Sequence, residues 1–285
     1  MLLVDWALVL YTIYVPSIII LYVVELVAIF KQRKSVFNSS FYRVFTVLAI
    51  VNIAACLVGT FVFRLPLFPV VNRIFDGMTA VSGWLTLAYS GAFYLNCLSE
   101  FLGVFLAFNR FTTLYYPGLH DKFWRWALFI GTSLCFLISI APVWNLLDDD
   151  NYFVEMVDER KCALQASIWF NMFIVTVVCN AASSLLYGAC LLRLCMFSVA
   201  RNYTVERNFF LVGFLTMIFS LPFMAAMLTF YLNLSIEGAE LDVDLVIFIA
   251  FQLPWLTDLK FLTPAPMLLV TNNSIRTAIW KMLPT

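Results

Sequence analysis

The feature that most constrains this chain is the arrangement of its apolar residues in blocks long enough to cross roughly 30 Å of hydrocarbon. With 63% of its residues apolar and 12% charged, against about 25% charge in a soluble domain, its solvent is lipid. A backbone in lipid must satisfy its own hydrogen bonds, and these runs lack the two-residue alternation of a membrane barrel, so the blocks are helices. The hydropathy pattern predicts seven, with six as the alternative: 6–30, 41–63, 78–108, 126–147, 163–192, 209–232 and 245–270. This is an all-α membrane protein, a single seven-transmembrane helix bundle over residues 1–285. Asp5 stands where a signal peptide would be basic, and the first apolar run outlasts any signal-peptide core, so the first helix is expected to act as its own insertion signal.

Counted from an outside N-terminus, the loops and helix ends segregate by charge. One side carries twelve basic residues, from Lys31, Arg33 and Lys34 through Arg276 and Lys281, against Asp121 and Glu206. The other has four, Arg64, Arg73, Arg160 and Lys161, against twelve acidic residues. Lys and Arg concentrate in the cytoplasm, which predicts N-terminus out and C-terminus in. Ser274 to Leu283 places Ile275, Ala278, Ile279 and Met282 on one face, as a short C-terminal amphipathic helix on the inner leaflet or as a frayed tail. No repeat suggests a transporter built from inverted halves.

Four ionisable residues fall within the spans: Glu25, Glu100, Asp258 and Lys260. Each costs about 2.5–3.5 kcal/mol at the bilayer centre, so each is expected to face inward and be paired, or in the case of Glu25 to reach toward Lys31. Asp258 and Lys260, two residues apart, lie about 200° around a helix and need separate partners. Glu100, Asp258 and Lys260 form a candidate intramembrane polar switch. Thr86, Tyr89, Ser90, Phe93, Asn96, Cys97, Glu100, Gly103 and Ala107 make a polar and small stripe on the third span, either helix-packing seam or ligand wall. Pro222, Pro254, Pro264 and Pro266 mark bends.

Enzyme chemistry is not expected. His120, the only histidine, reads as a loop residue, which leaves a zinc site or a Ser/His dyad without its ligand or base. The seven cysteines show no metal spacing. No cofactor, metal or nucleic-acid partner is implied. Lys260 as a retinal Schiff base is a remote reading.

The end of the third span, Asn109-Arg110-Phe111 followed by Pro117 and then Asp121-Lys122-Phe123-Trp124, resembles the nematode serpentine chemoreceptors, particularly the gamma superfamily. Lys34 to Phe41 and Pro264 to Arg276 look similar to the same family. The resemblance implies a chemosensory G-protein-coupled receptor in the plasma membrane, of a sensory neuron's cilium in that family. It implies a small-molecule ligand and a heterotrimeric G protein, the latter meeting Arg110, Arg193, Arg201 and Arg207, which otherwise read as positive-inside anchors. Tyr89, Phe93, Trp169, Gln252 and Trp255, chosen for outward depth and aromatic or hydrogen-bonding character, are the candidate ligand wall. A transporter or channel using Glu100, Asp258 and Lys260 is the alternative. Against the rhodopsin-like pattern, Asn109 replaces an acid, Ser220 a tryptophan, NPxxY is absent, and Cys162 lacks a cysteine partner at the outer end of the third span.

Overall fold

A computed structural model describes residues 2–65, 83–147, 159–197, 204–235 and 243–282. Its long helices are α1 (Leu2–Lys31), α2 (Ser40–Gly59), α3 (Gly83–Tyr115), α4 (Pro117–Ile138), α5 (Glu159–Phe197), α6 (Thr204–Ser235) and α7 (Val243–Leu262). Two short helices follow, α8 (Pro264–Thr271) and α9 (Asn273–Trp280). Among the described residues, the stretches long and apolar enough to cross a bilayer are five, in α1 to α5, and α6 contributes a shorter one, Gly213–Thr229. α7 with α8 completes a seven-helix bundle.

Local chemistry sets several helix ends. Pro117 opens α4, where its missing N–H would have had no partner. After Ile138 the chain passes through a 3-10 turn containing Pro142 (Ala141–Val143) and a further turn of helix, Trp144–Leu147. The fourth apolar stretch is therefore not one continuous rod. α2 ends in a wider π turn, Thr60–Arg64. Between α7 and α8, Pro264 cannot donate to the carbonyl of Lys260, nor Pro266 to that of Leu262, and the helix breaks at Thr263. Asn272 then caps α9, its side chain accepting from the backbone N–H of Ser274 and Ile275.

Three apolar clusters fill the bundle. One joins α1 and α2 to the α7 to α9 segment, including Tyr22, Phe45, Leu262, Leu268 and Ile275. A second, with Phe93, Trp169, Met172, Phe223 and Met227, lies among α3, α5, α6 and α7. The third packs Leu48 and Val51 on Leu98, Leu102 and Cys135. α9 is thus not frayed: Ile275 and Ala278 are buried and Ile279 and Met282 pack on the same cluster. α4 instead buries only His120, Trp124 and Cys135, while Trp126 and Phe129 are 74% and 77% exposed, a surface for lipid chains.

α4 approaches α3 closely at Gly131, where a Cβ would fall on the Phe105 ring. Gly131→Val is therefore expected to lower the thermal unfolding temperature of the detergent-solubilised protein, at a cost of about 1–3 kcal/mol for overpacking. Phe105→Ala in the same chain should recover part of that loss.

Candidate functional site

The site is organised by the two charges on α7. Asp258 faces α1 and α2, where Arg64 Nη2 and Tyr14 Oη donate to its carboxylate. Arg64, 3% exposed, comes from the π turn of α2 and also donates to Thr60 Oγ1 at 2.5 Å and the Pro254 carbonyl at 3.4 Å. Its guanidinium lies 5.1 Å from the Tyr11 ring centroid. Trp255 stacks on Tyr11 and Tyr14 at 4.2 and 5.3 Å. Arg64, expected among the charges at the outer ends of the spans, is instead a buried counter-ion.

Lys260 faces the other way. Its Nζ is 2.6 Å from Glu100 Oε1 and donates to Asn96 Oδ1 at 2.6 Å, and it sits 5.2 Å from the Phe223 ring centroid. Asn96 and Glu100, one turn apart on α3, therefore hold one ammonium between them. Next to this pair, Ser99 Oγ donates to Asn52 Oδ1 at 2.7 Å. Asn52 Nδ2 and Tyr22 Oη donate to the Phe261 carbonyl, next to the break in α7, at 3.2 and 2.6 Å. This chain of bonds links α1, α2, α3 and α7 across the middle of the bundle.

Glu25 behaves differently from its expected pairing. It is fully buried and neither carboxyl oxygen has a hydrogen-bond partner, while Lys31 is exposed.

The Asn109 neighbourhood is a single knot. Asn109 is fully buried and its Nδ2 donates to Ser40 Oγ at 2.8 Å. His120 Nε2 lies 2.9 Å from the same hydroxyl, and its Nδ1 is 3.2 Å from Thr112 Oγ1. Trp124 Nε1 donates to Thr112 Oγ1 at 2.8 Å. His120 is therefore not a loop residue: it is buried in the first turn of α4 and ties the start of α2 to the end of α3. Arg110, beside this knot and 8% exposed, has its guanidinium carbon 3.6 Å from the Phe41 ring centroid. An aromatic ring from α2 thus lies against the guanidinium as a cation–π partner.

Of the five candidate wall residues, the fold brings three together. Tyr89 and Phe93 meet edge to face at 4.9 Å, and Phe93 meets Trp169 at 5.2 Å. Gln252 is half-buried on α7, whereas Trp255 belongs to the Arg64 and Asp258 side. A cavity of about 90 Å³ lies deeper, lined by Asn52, Glu100, Arg110, Asn180 and Lys260 among others. That is room for a few waters, well below the roughly 300–1,000 Å³ of a drug-sized pocket. Ser220 Oγ, lining it from α6, is 2.7 Å from Asn180 Oδ1 on α5.

Among the arginines grouped with Arg110, Arg193 lies over the Tyr115 ring at 5.3 Å. Arg207 falls in α6 with its side chain outside the described set, and Arg201 lies outside the described residues. The Cys162 and Thr86 side chains are likewise outside it. Among the described residues, no group of three His, Cys, Asp or Glu side chains is arranged to hold a metal.

Reasoning from sequence places Arg64 among the boundary charges, because a charge at a span end looks like a stop signal, places His120 in a loop, and passes over Asn52 and Phe41, whose residue types are unremarkable outside their contacts.

Among the described residues the chain is an all-helical membrane bundle with charged and polar side chains joined at its centre and an arginine held at the end of α3, an arrangement that fits a serpentine receptor. The family model of Srg family chemoreceptors matches residues 8–279, and the chain belongs to that family. It is 27% identical over 183 residues to serpentine receptor class V-1 of Caenorhabditis elegans, covering 60% of this chain and 58% of that protein. It is 23% identical over 150 residues to class gamma-5 of the same organism, covering 50% and 45%. For class gamma-14 the identity is 27% over 123 residues, covering 41% and 37%. The chain thus spans about half the length of the curated relatives it matches. The kinship suggested by Asn109-Arg110-Phe111 extends over nearly the whole chain.

The central pair has a direct test. Lys260→Met leaves Glu100 buried without its counter-ion, at a cost of about 3–5 kcal/mol, and should sharply lower the thermal stability of the purified protein. Adding Glu100→Leu removes the stranded charge and should restore most of the loss.

Proposed function

We propose that this chemoreceptor detects a small extracellular molecule and activates a heterotrimeric G protein, with its N-terminus outside and its C-terminus in the cytoplasm. The supporting observation is that the Lys260 and Glu100 pair joins α3 to α7 between the Tyr89, Phe93 and Trp169 cluster and the cavity that Arg110 lines. A ligand that repacks the aromatic cluster changes how α3, α5, α6 and α7 meet. That bias reaches the inner end through the same helices. Glu100, Asp258 and Lys260 serve here as the polar switch, and Pro222 gives α6 a place to bend.

In this reading Arg110 is the contact for the G protein, assisted by Arg193, Arg201 and Arg207. The clasp between Phe41 and Arg110 restrains it in the resting state. Family kinship favours a plasma membrane, and within it the cilium of a sensory neuron.

The competing reading, a transporter or channel, takes Glu100, Asp258 and Lys260 as an ion path. The pairing of Lys260 with Glu100 and of Asp258 with Arg64 argues for a structural latch instead, since a permeating ion needs sites that are free to exchange.

The deciding experiment is nucleotide exchange on a co-reconstituted G protein with a panel of volatile and water-soluble small molecules. Ligand-dependent exchange that disappears in Arg110→Ala at unchanged surface expression supports the proposal. Ion flux in the same liposomes without any G protein would instead establish the channel. Phe41→Leu loosens a cation–π contact worth about 0.5–2 kcal/mol and should raise basal exchange several-fold. For the orientation, a C-terminal epitope should be stained only after cells are permeabilised.

A further inference from the structure

Two segments far apart in sequence share an unusual property. No acidic residue occurs from Leu26 to Phe75 or from Leu259 to Thr285. The fold brings parts of both to one place: Phe37, after α1, and Ile275 and Ala278, of α9, are buried in the same apolar cluster. Tyr42 bridges them, its ring 4.7 Å from that of Phe37 and its hydroxyl accepting from Asn272 Nδ2 at 2.8 Å.

The turn that follows α1 is fixed by its own backbone. The N–H groups of Ser35, Val36 and Phe37 all converge on the Gln32 carbonyl at 3.0–3.2 Å. This turn leaves Lys31, Arg33 and Lys34 exposed, and α9 with the residue that follows it adds half-exposed Arg276 and exposed Lys281. The Arg276 guanidinium is held by the Val270 carbonyl at 2.5 Å and by the Asn273 side chain. Among the described residues, none of these five cations has a carboxylate partner.

Exposed apolar side chains accompany the cations: Phe30 at 51%, Val36 at 48%, Val270 at 65% and Trp280 at 70%. Tryptophan and snorkelling Lys and Arg are the residues suited to headgroup depth.

We infer that the turn after α1 and α9 together form a binding surface for the headgroup of a polyphosphorylated inositol lipid in the inner leaflet. Basic residues near the surface each attract anionic lipid by about 1 kcal/mol. A diffuse patch would attract every anionic lipid in proportion to its charge. Here a tied backbone turn and a capped helix fix the backbone positions that carry the cations, and hydrogen bonds hold the Arg276 guanidinium itself. One headgroup with several phosphates can engage more than one of them at once, and a singly charged lipid cannot. The inference rests on the cytoplasmic location of the C-terminus proposed above.

The test uses the full chain purified in nanodiscs of phosphatidylcholine containing either phosphatidylinositol bisphosphate or phosphatidylserine at matched total charge. Native mass spectrometry reads the retained lipid, and a photoreactive bisphosphate analogue maps where it sits. Retention of the bisphosphate lipid should exceed that of phosphatidylserine by about tenfold or more, with cross-links on the turn and α9. Lys31→Gln, Arg33→Gln, Lys34→Gln and Lys281→Gln combined should abolish the preference, while Arg193→Gln should not. Equal retention of the two lipids, cross-links elsewhere, or an unchanged preference in the four-site variant would each overturn the inference. Because these side chains are exposed, unchanged thermal unfolding confirms that the variant is folded. No G protein or ligand is present and lipid fills both leaflets. The outcome is therefore independent of whether the signalling role or the orientation is right.

Discussion

Charge cannot remain unpaired in hydrocarbon, and α7 carries two opposite charges that point to opposite sides. Each must be met by a different neighbour, so α7 is clasped to α1 and α2 through Asp258 and to α3 through Lys260. The π turn that ends α2 exists where Arg64 folds back into the bundle, and the aromatic shell of Tyr11, Tyr14 and Trp255 closes over that pair. Beside the break at Thr263, α1 and α2 bind the Phe261 carbonyl through Tyr22 and Asn52. A buried pair contributes little net stability against an apolar replacement. Its value is in fixing which faces meet.

The end of the bundle around Asn109 follows a different principle. There the helices are joined by neutral hydrogen bonds, with Asn109, Ser40, His120, Thr112 and Trp124 forming one network across three helices. This gives a physical reason for the short motif by which the chain resembles its relatives: the asparagine and the tryptophan meet through Ser40, His120 and Thr112. An acid at position 109 would have to be solvated or paired. The amide satisfies Ser40 without charge and leaves Arg110 to pack on Phe41.

Much of the bundle was legible in the sequence. The helices, the break at Pro264 and Pro266 and the buried face of α9 follow from hydropathy, proline chemistry and periodicity, because a bilayer admits few alternatives. The need of Asp258 and Lys260 for separate partners also follows from helical geometry alone. The identity of those partners does not. Arg64 looks like a boundary charge and His120 like a loop residue, since nothing local distinguishes a side chain that folds inward from one that meets solvent. Trp255 looked equivalent to Phe93 and Trp169 by depth, but it lies on the other side of α7, and depth carries no information about which side of a helix faces which neighbour.

The sequence by itself determined a helical membrane protein, its family and the places where charge had to be hidden, because the cost of polar groups in lipid acts residue by residue. Only the tertiary structure decided that Asp258 finds Arg64 and Lys260 finds Glu100, and that the acid-free segments after α1 and in α9 share one surface. Those pairings depend on how the helices rotate and pack against one another. That is a property of several helices at once, written in no one stretch of the chain.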